Sequence, residues 1–140
     1  MPIRPDEMAR YPGGSIRSRE WGAIRERIRA RADNRCEVCG VANHAVGGRD
    51  PLGRFFPAIP LNHDGLYVRW PDAGTGAWCC DGRDVVRLRI IRIVCTVAHL
   101  NHRPEDCRDE NLRFMCQRCH LRYDNQRRRA ERRGTADLFA

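Results

Sequence analysis

Apolar residues recur at helical spacing early in the chain: Trp21, Ile24 and Ile28 stand at i, i+3 and i+7, and Ala32 continues the stripe. This pattern predicts an amphipathic helix over 18–32, with Ser18 placed to cap it. Ahead of it, Pro2, Pro5, Pro12, Gly13 and Gly14 break any regular pattern, so residues 1–17 read as a flexible arm. Asp33 and Asn34 end the helix. Residues 41–76 are loop-rich and carry only short apolar pieces (Phe55-Phe56, Leu66-Tyr67-Val68, Trp70), enough for one or two short strands. Residues 77–80, the turn Asp81-Gly82-Arg83-Asp84 and the β-branched run over 85–97 predict a hairpin. Arg87, Arg89 and Arg92 are interspersed along its second strand. A polar loop holding Pro104 covers 101–111, and a last helix is expected over 117–133, stopped by Gly134. The layout expected is one domain over 18–134, with an insertion at 41–84 and a tail at 135–140.

At 140 residues, with 41% apolar and 31% charged positions, a domain of this kind often needs a staple such as a metal or disulfides. Twenty-six Lys+Arg against eighteen Asp+Glu give a net charge of +8 and a basic isoelectric point near 9.5. That balance favours a polyanionic partner, nucleic acid being the commonest, although a merely soluble basic protein has the same sum. Arg25, Arg27, Arg29 and Arg31 fit either phosphate contacts or a solvated helix face. Met1 to Arg19 lacks the apolar core of a signal peptide, and no apolar stretch reaches membrane-spanning length. The expectation is a cytoplasmic protein without a membrane partner, its thiols reduced.

Of the eight cysteines, four form two Cys-x-x-Cys pairs, Cys36/Cys39 and Cys116/Cys119. Each pair supplies two thiolates at the spacing that lets one turn grip a tetrahedral ion, and together they predict a structural zinc site. Gly40 suits the knuckle, which turns most easily where positive φ is allowed. Disulfides fit a reducing compartment poorly, and neither pair follows the βαβ pattern of a thioredoxin-like site. Cys79, Cys80, Cys95 and Cys107 remain; adjacent Cys79 and Cys80 chelate badly, and Cys95 reads as a small core residue.

From Val94 to Asp124 the chain reads VCTVAHLNHRPEDCRDENLRFMCQRCHLRYD. It resembles the HNH endonuclease motif of the ββα-metal nucleases: a His at a strand end, Asn-Leu after a loop, and Cys-x-x-Cys-His opening a helix. The resemblance implies an α+β fold, a ββα-metal core carrying zinc knuckles, joined by the N-terminal helix and the loop-rich insertion. It also implies His99 as general base, Asn111 as the residue that orients the base and fastens the loop, and His120 as a ligand of a catalytic divalent ion. Asp124 follows four residues after His120, so on a helix both side chains share one face and can share an ion. An imidazole and a carboxylate suit Mg²⁺, Mn²⁺ or a transition metal; an ordinary ion pair of Asp124 with Arg127 or Arg128 is the competing reading. Four thiolates leave zinc no open position, so it would serve as a support that fixes the helix start presenting His120.

The pattern departs from the family at Ala98, where most members carry an acid or His that ligates the metal. Asn101-His102 offers a second candidate for the base; spacing to Asn111 favours His99, leaving His102 to line the site or help hold metal or phosphate. The function expected is hydrolysis of DNA phosphodiesters, with double-stranded DNA as partner. The alternative is a zinc-stabilised DNA-binding module of the same fold without catalysis. His44 and His63 stand in loops outside the motif.

Overall fold

The computed structural model describes residues 3–49, 53–60, 66–69, 77–79 and 91–134. Its elements run α1 (Pro5–Met8), a 3₁₀ turn (Pro12–Gly14), α2 (Arg19–Arg31), β1 (Val46–Arg49), β2 (Phe55–Pro57), β3 (Ile59–Pro60) and β4 (Leu66–Arg69). They continue with β5 (Ala77–Cys79), β6 (Ile91–Arg92), β7 (Cys95–His99), a second 3₁₀ turn (Asp109–Asn111), β8 (Leu112–Cys116) and α3 (Gln117–Arg132). The protein is thus a small mixed α/β molecule with antiparallel sheets ordered β2-β1-β6, β3-β4-β5 and β7-β8. Two compact units divide it: residues 1–43 with 95–140, and residues 44–94. Among the described residues no helix is long and apolar enough to cross a membrane.

In the first unit, α2 forms where the 3.6-residue pattern places it. The Ser18 hydroxyl accepts the Trp21 amide at 3.0 Å, satisfying one free N–H of the first turn. Trp21 and Ile28 are buried while the intervening arginines face outward. The pair β7–β8 runs in register from Cys95 opposite Cys116 to His99 opposite Leu112. Leu112, Phe114, Met115 and Cys116 of β8 are buried, so this strand forms the spine of the unit. From its end the chain enters α3, which buries a narrow stripe of Cys119, Tyr123 and Ala130 and leaves its charged residues outside. Gly134, at φ +65°, stops the helix as its position predicts.

The segment expected to be a flexible arm is ordered from Ile3 onward. Pro5 stands at the start of α1, where its missing N–H costs nothing. The prolines and glycines that break a long helix build short turns instead, and these bring Tyr11 against Trp21 with ring centroids 5.2 Å apart.

The second unit, residues 44–94, differs from the expected 41–84 insertion in extent and pairing. Ile91–Arg92 pairs with β1 and Cys95–His99 with β8, so the described part of the run read over 85–97 divides between two sheets. Between them Ile93 is fully buried and exchanges backbone hydrogen bonds with His44 and Ala45, both at 2.8 Å. Likewise, among the described residues, β5 pairs with β4. Apolar β-branched residues establish strand propensity without choosing the partner strand. The close approach of β1 and β2 requires glycine at 47, where an added Cβ would overlap the Phe56 carbonyl. The predicted turn at 81–84, residues 85–90, Trp70, His63, Cys80 and the 135–140 tail lie outside the described residues.

Candidate metal centre and histidine cleft

Cys36 and Cys39 flank a tight turn that follows α2. The Gly40 amide donates to the Cys36 carbonyl at 2.9 Å and the Cys36 amide to Val41, with Gly40 at φ +81° as a knuckle demands. Cys116 is the N-cap of α3 and Cys119 lies in its first turn. The four sulfur atoms lie within 4.8 Å of one another, and Cys39 Sγ is 3.8 Å from Cys116 Sγ. A tetrahedral Zn²⁺ with bonds of about 2.3 Å requires sulfurs about 3.8 Å apart, so the donor set fits a metal ion such as zinc in chemistry and spacing.

The thiols also perturb one another. Burial acts to raise Cys36, but backbone N–H groups of Cys39, Cys116 and Val38 outweigh it and bring the thiol down to about 7. Burial first, and then the neighbouring sulfurs, raise Cys39 and push Cys119 well above the usual range. Cys95, across the ladder from Cys116, is a buried thiol pushed up to about 12 by desolvation and then by Cys36 and Cys116.

The knuckle is tied to the sheet through Glu37. Its amide donates to the Phe114 carbonyl and its carboxylate accepts the Phe114 amide, both at 2.8 Å. Arg31 grips the same carboxylate with two nitrogens at 2.7 and 3.1 Å and reaches the Leu112 carbonyl at 2.6 Å. Arg27 pairs with Asp109 and Arg29 with Glu26, so with Arg31 three of the five α2 arginines are engaged within the chain.

Beyond the thiols, a cleft of about 350 Å³ gathers His99, His102, His120 and Asp124 with Ile3, Glu7, Arg10, Tyr11, Val97, Ala98 and Pro104. His99 ends β7 and is only 8% exposed. Its ring stacks on Trp21 at 5.1 Å and meets the edge of Tyr11 at 5.6 Å, while Nε2 stands 3.5 Å from Cys107 Sγ. Desolvation lowers its pKa against the opposing pull of Asp106 and Glu105, which keeps the imidazole neutral at pH 7.

Asn111 is buried and fastens the 100–106 loop. Its amide nitrogen donates to Asn101 Oδ1 at 3.0 Å and to the Asp106 carbonyl at 2.8 Å, and its Oδ1 accepts the Asn101 amide at 3.1 Å. Asn101 in turn donates to Asp106 at 2.7 Å. The same loop is clamped to α3, where the Tyr123 hydroxyl and the Arg127 guanidinium both donate to the Leu100 carbonyl. This holds His102, in a left-handed backbone conformation at φ +58°, over the helix.

Asp124 lies between two imidazoles, with His102 Nε2 3.2 Å from Oδ1 and His120 Nε2 3.6 Å from Oδ2. Arg127 pairs instead with Glu131. Among the described residues, the four thiols are the group whose candidate ligand atoms all converge; His102, Asp124 and His120 are arrayed about the shared carboxylate. The cleft therefore brings a buried imidazole together with two further imidazoles and one carboxylate. Sequence reading missed Tyr11, Trp21 and Cys107 around His99, and Arg10 and Glu7 on the cleft wall. An aromatic in an unpatterned segment carries no periodic signal that would point to its partner. No family model, no curated protein and no solved structure matches this chain.

Proposed function

We propose that the protein is a metal-dependent endonuclease of the HNH type, acting on DNA, with a structural zinc on Cys36, Cys39, Cys116 and Cys119. One observation carries this reading: His99, His102, His120 and Asp124 line a single cleft between the β7–β8 pair and α3, with the four thiols holding the start of that helix. The strand pair and helix in this order are the parts that a ββα-metal core requires, and the net charge of +8 suits a polyphosphate substrate.

In this reading His120 and Asp124, from one face of α3, hold a divalent ion, and His102 faces the same carboxylate. When bound, that ion stabilises negative charge on the phosphate and on the leaving oxygen. His99 is neutral because it is buried, and so is ready to take the proton from the attacking water. Water adds to phosphorus as the phosphorus–oxygen bond to the leaving nucleotide breaks. Asn111 acts on the reaction by fixing the loop that carries His102.

Plasmid nicking with Mg²⁺ or Mn²⁺ tests this, comparing the wild type with His99→Ala, His120→Ala and His102→Ala. Metal-dependent nicking that falls at least a hundredfold in His99→Ala supports the assignment. Nicking no greater than in the variants overturns it. Ala98 favours a second reading: it is a buried methyl lining the cleft where an acid would have reached the ion. A zinc-stabilised DNA-binding module would bind duplex DNA in the same experiment and nick none of it.

A further inference from the structure

We infer that Arg10 is a phosphate-binding residue of the cleft, held in reserve by Glu105, which the substrate's backbone displaces. The inference rests on the nuclease reading only for the identity of the polyanion. Among the described residues, Arg10 is the one arginine or lysine that lines the cleft with His99, His102, His120 and Asp124. Its guanidinium donates twice to Glu105, from Nε at 3.0 Å and from Nη2 at 2.7 Å. That two-pronged geometry is the one a phosphate diester accepts in place of a carboxylate.

The pair is placed to exchange. Both side chains are about half exposed, at 46% and 52%, so the ion pair adds little to stability and Glu105 returns to water at small cost. Arg10 itself is well anchored. Its amide donates to the Glu7 carbonyl at 3.0 Å, and the next residue, Tyr11, is docked on Trp21 and His99. Glu105 lies in the loop that Asn111 and Asp106 hold in place, three residues after His102. The two-pronged pairing of this anchored arginine of the cleft wall with a solvated carboxylate makes the ion pair a stand-in for bound phosphate.

Two substitutions in the zinc-loaded full chain separate this from a structural role, because both break the same ion pair. Binding to a fluorescent DNA duplex is measured by anisotropy with Ca²⁺ present. Arg10→Ala is expected to weaken binding about tenfold and to flatten the dependence of log Kd on log salt by about one unit. Glu105→Gln is expected to tighten binding about threefold, with Glu110→Gln, an exposed acid outside the cleft, as the control for net charge. Weakening by both cleft variants would show a merely structural tie and overturn the inference. Tightening by Glu105→Gln no larger than by Glu110→Gln would overturn it as well. A wild type that nicks DNA with either of these outcomes leaves the nuclease reading standing. Opposite effects in a wild type that binds without nicking sink that reading and keep the inference.

Discussion

The indole of Trp21 lies stacked on the imidazole of His99, with centroids 5.1 Å apart and planes 20° apart. A residue from the amphipathic stripe of α2 thus forms one wall around the strand-end histidine, and Tyr11 forms another. Together they account for the burial that holds His99 below its ordinary pKa. Tyr11→Ala removes one wall and admits water. The expected outcome is a His99 pKa that moves up toward about 6.5, followed by NMR titration of its ring. An unchanged or lower value would show that the walls do not set it. Trp21→Ala should give the same direction, at a stability cost of about 3–5 kcal/mol for the lost core aromatic.

Removing zinc from the thiol cluster should unfold the first unit. Structural zinc contributes on the order of 10 kcal/mol of apparent binding free energy at neutral pH, more than a small domain's whole stability. A chelator added to the zinc-loaded protein is expected to abolish its cooperative thermal transition, and added zinc to restore it. Cys116→Ser should lower zinc content to near zero by elemental analysis. Full zinc occupancy in that variant would remove Cys116 from the ligand set.

Much of the cleft was legible because its chemistry sits in one short stretch. His99, Asn111 and His120 are singled out by the resemblance and Asp124 by its spacing from His120; of these His99, His120 and Asp124 line the cleft, and both helices follow from period and caps. What escaped was pairing at long range. The run over 85–97 declares strand propensity, yet Ile91–Arg92 and the residues from Cys95 onward join different sheets, a choice made by β1 and β8 and not by the run itself. Residues 3–14 escaped for a related reason. Prolines and glycines rule out a long helix there, but they are silent about the packing of Tyr11 on Trp21 or the reach of Arg10 to Glu105. The partners of Arg127, one of the two arginines offered as an ion pair for Asp124, also show only in three dimensions, where it reaches the Leu100 carbonyl and Glu131.

Asn111→Ala should loosen the loop that carries His102. The substitution leaves the Asn101 amide and side-chain oxygen, and the Asp106 carbonyl, without their partner. Leaving buried polar groups unpaired costs about 1–3 kcal/mol, so a fall of that size is expected in urea unfolding. Amide exchange at 100–106 should quicken while α2 keeps its protection. Uniform loss across the unit would instead show that Asn111 supports the whole core.

Stability should fall in two steps as pH drops, one for each group whose buried surroundings favour a single protonation state. His99 is neutral in the fold, with its pKa below the ordinary value, so its contribution is complete above about pH 6.5 and shrinks as pH falls from there to its folded pKa. Glu37 is opposed by burial, but Arg31 and then the Phe114 amide more than compensate and lower its carboxyl. Its contribution is complete above about pH 4.3 and shrinks as pH falls toward the folded value. Urea unfolding with zinc in excess resolves the steps by difference. His99→Gln should be flatter than wild type between pH 7 and the folded pKa of His99, and Glu37→Gln flatter only in the more acid range. Glu37→Gln should also lose about 1–3 kcal/mol at neutral pH, because its carboxylate accepts both Arg31 and the Phe114 amide where the knuckle meets β8. A Glu37→Gln profile that parallels wild type at every pH would show that the carboxylate's charge is not what fastens the knuckle to the sheet.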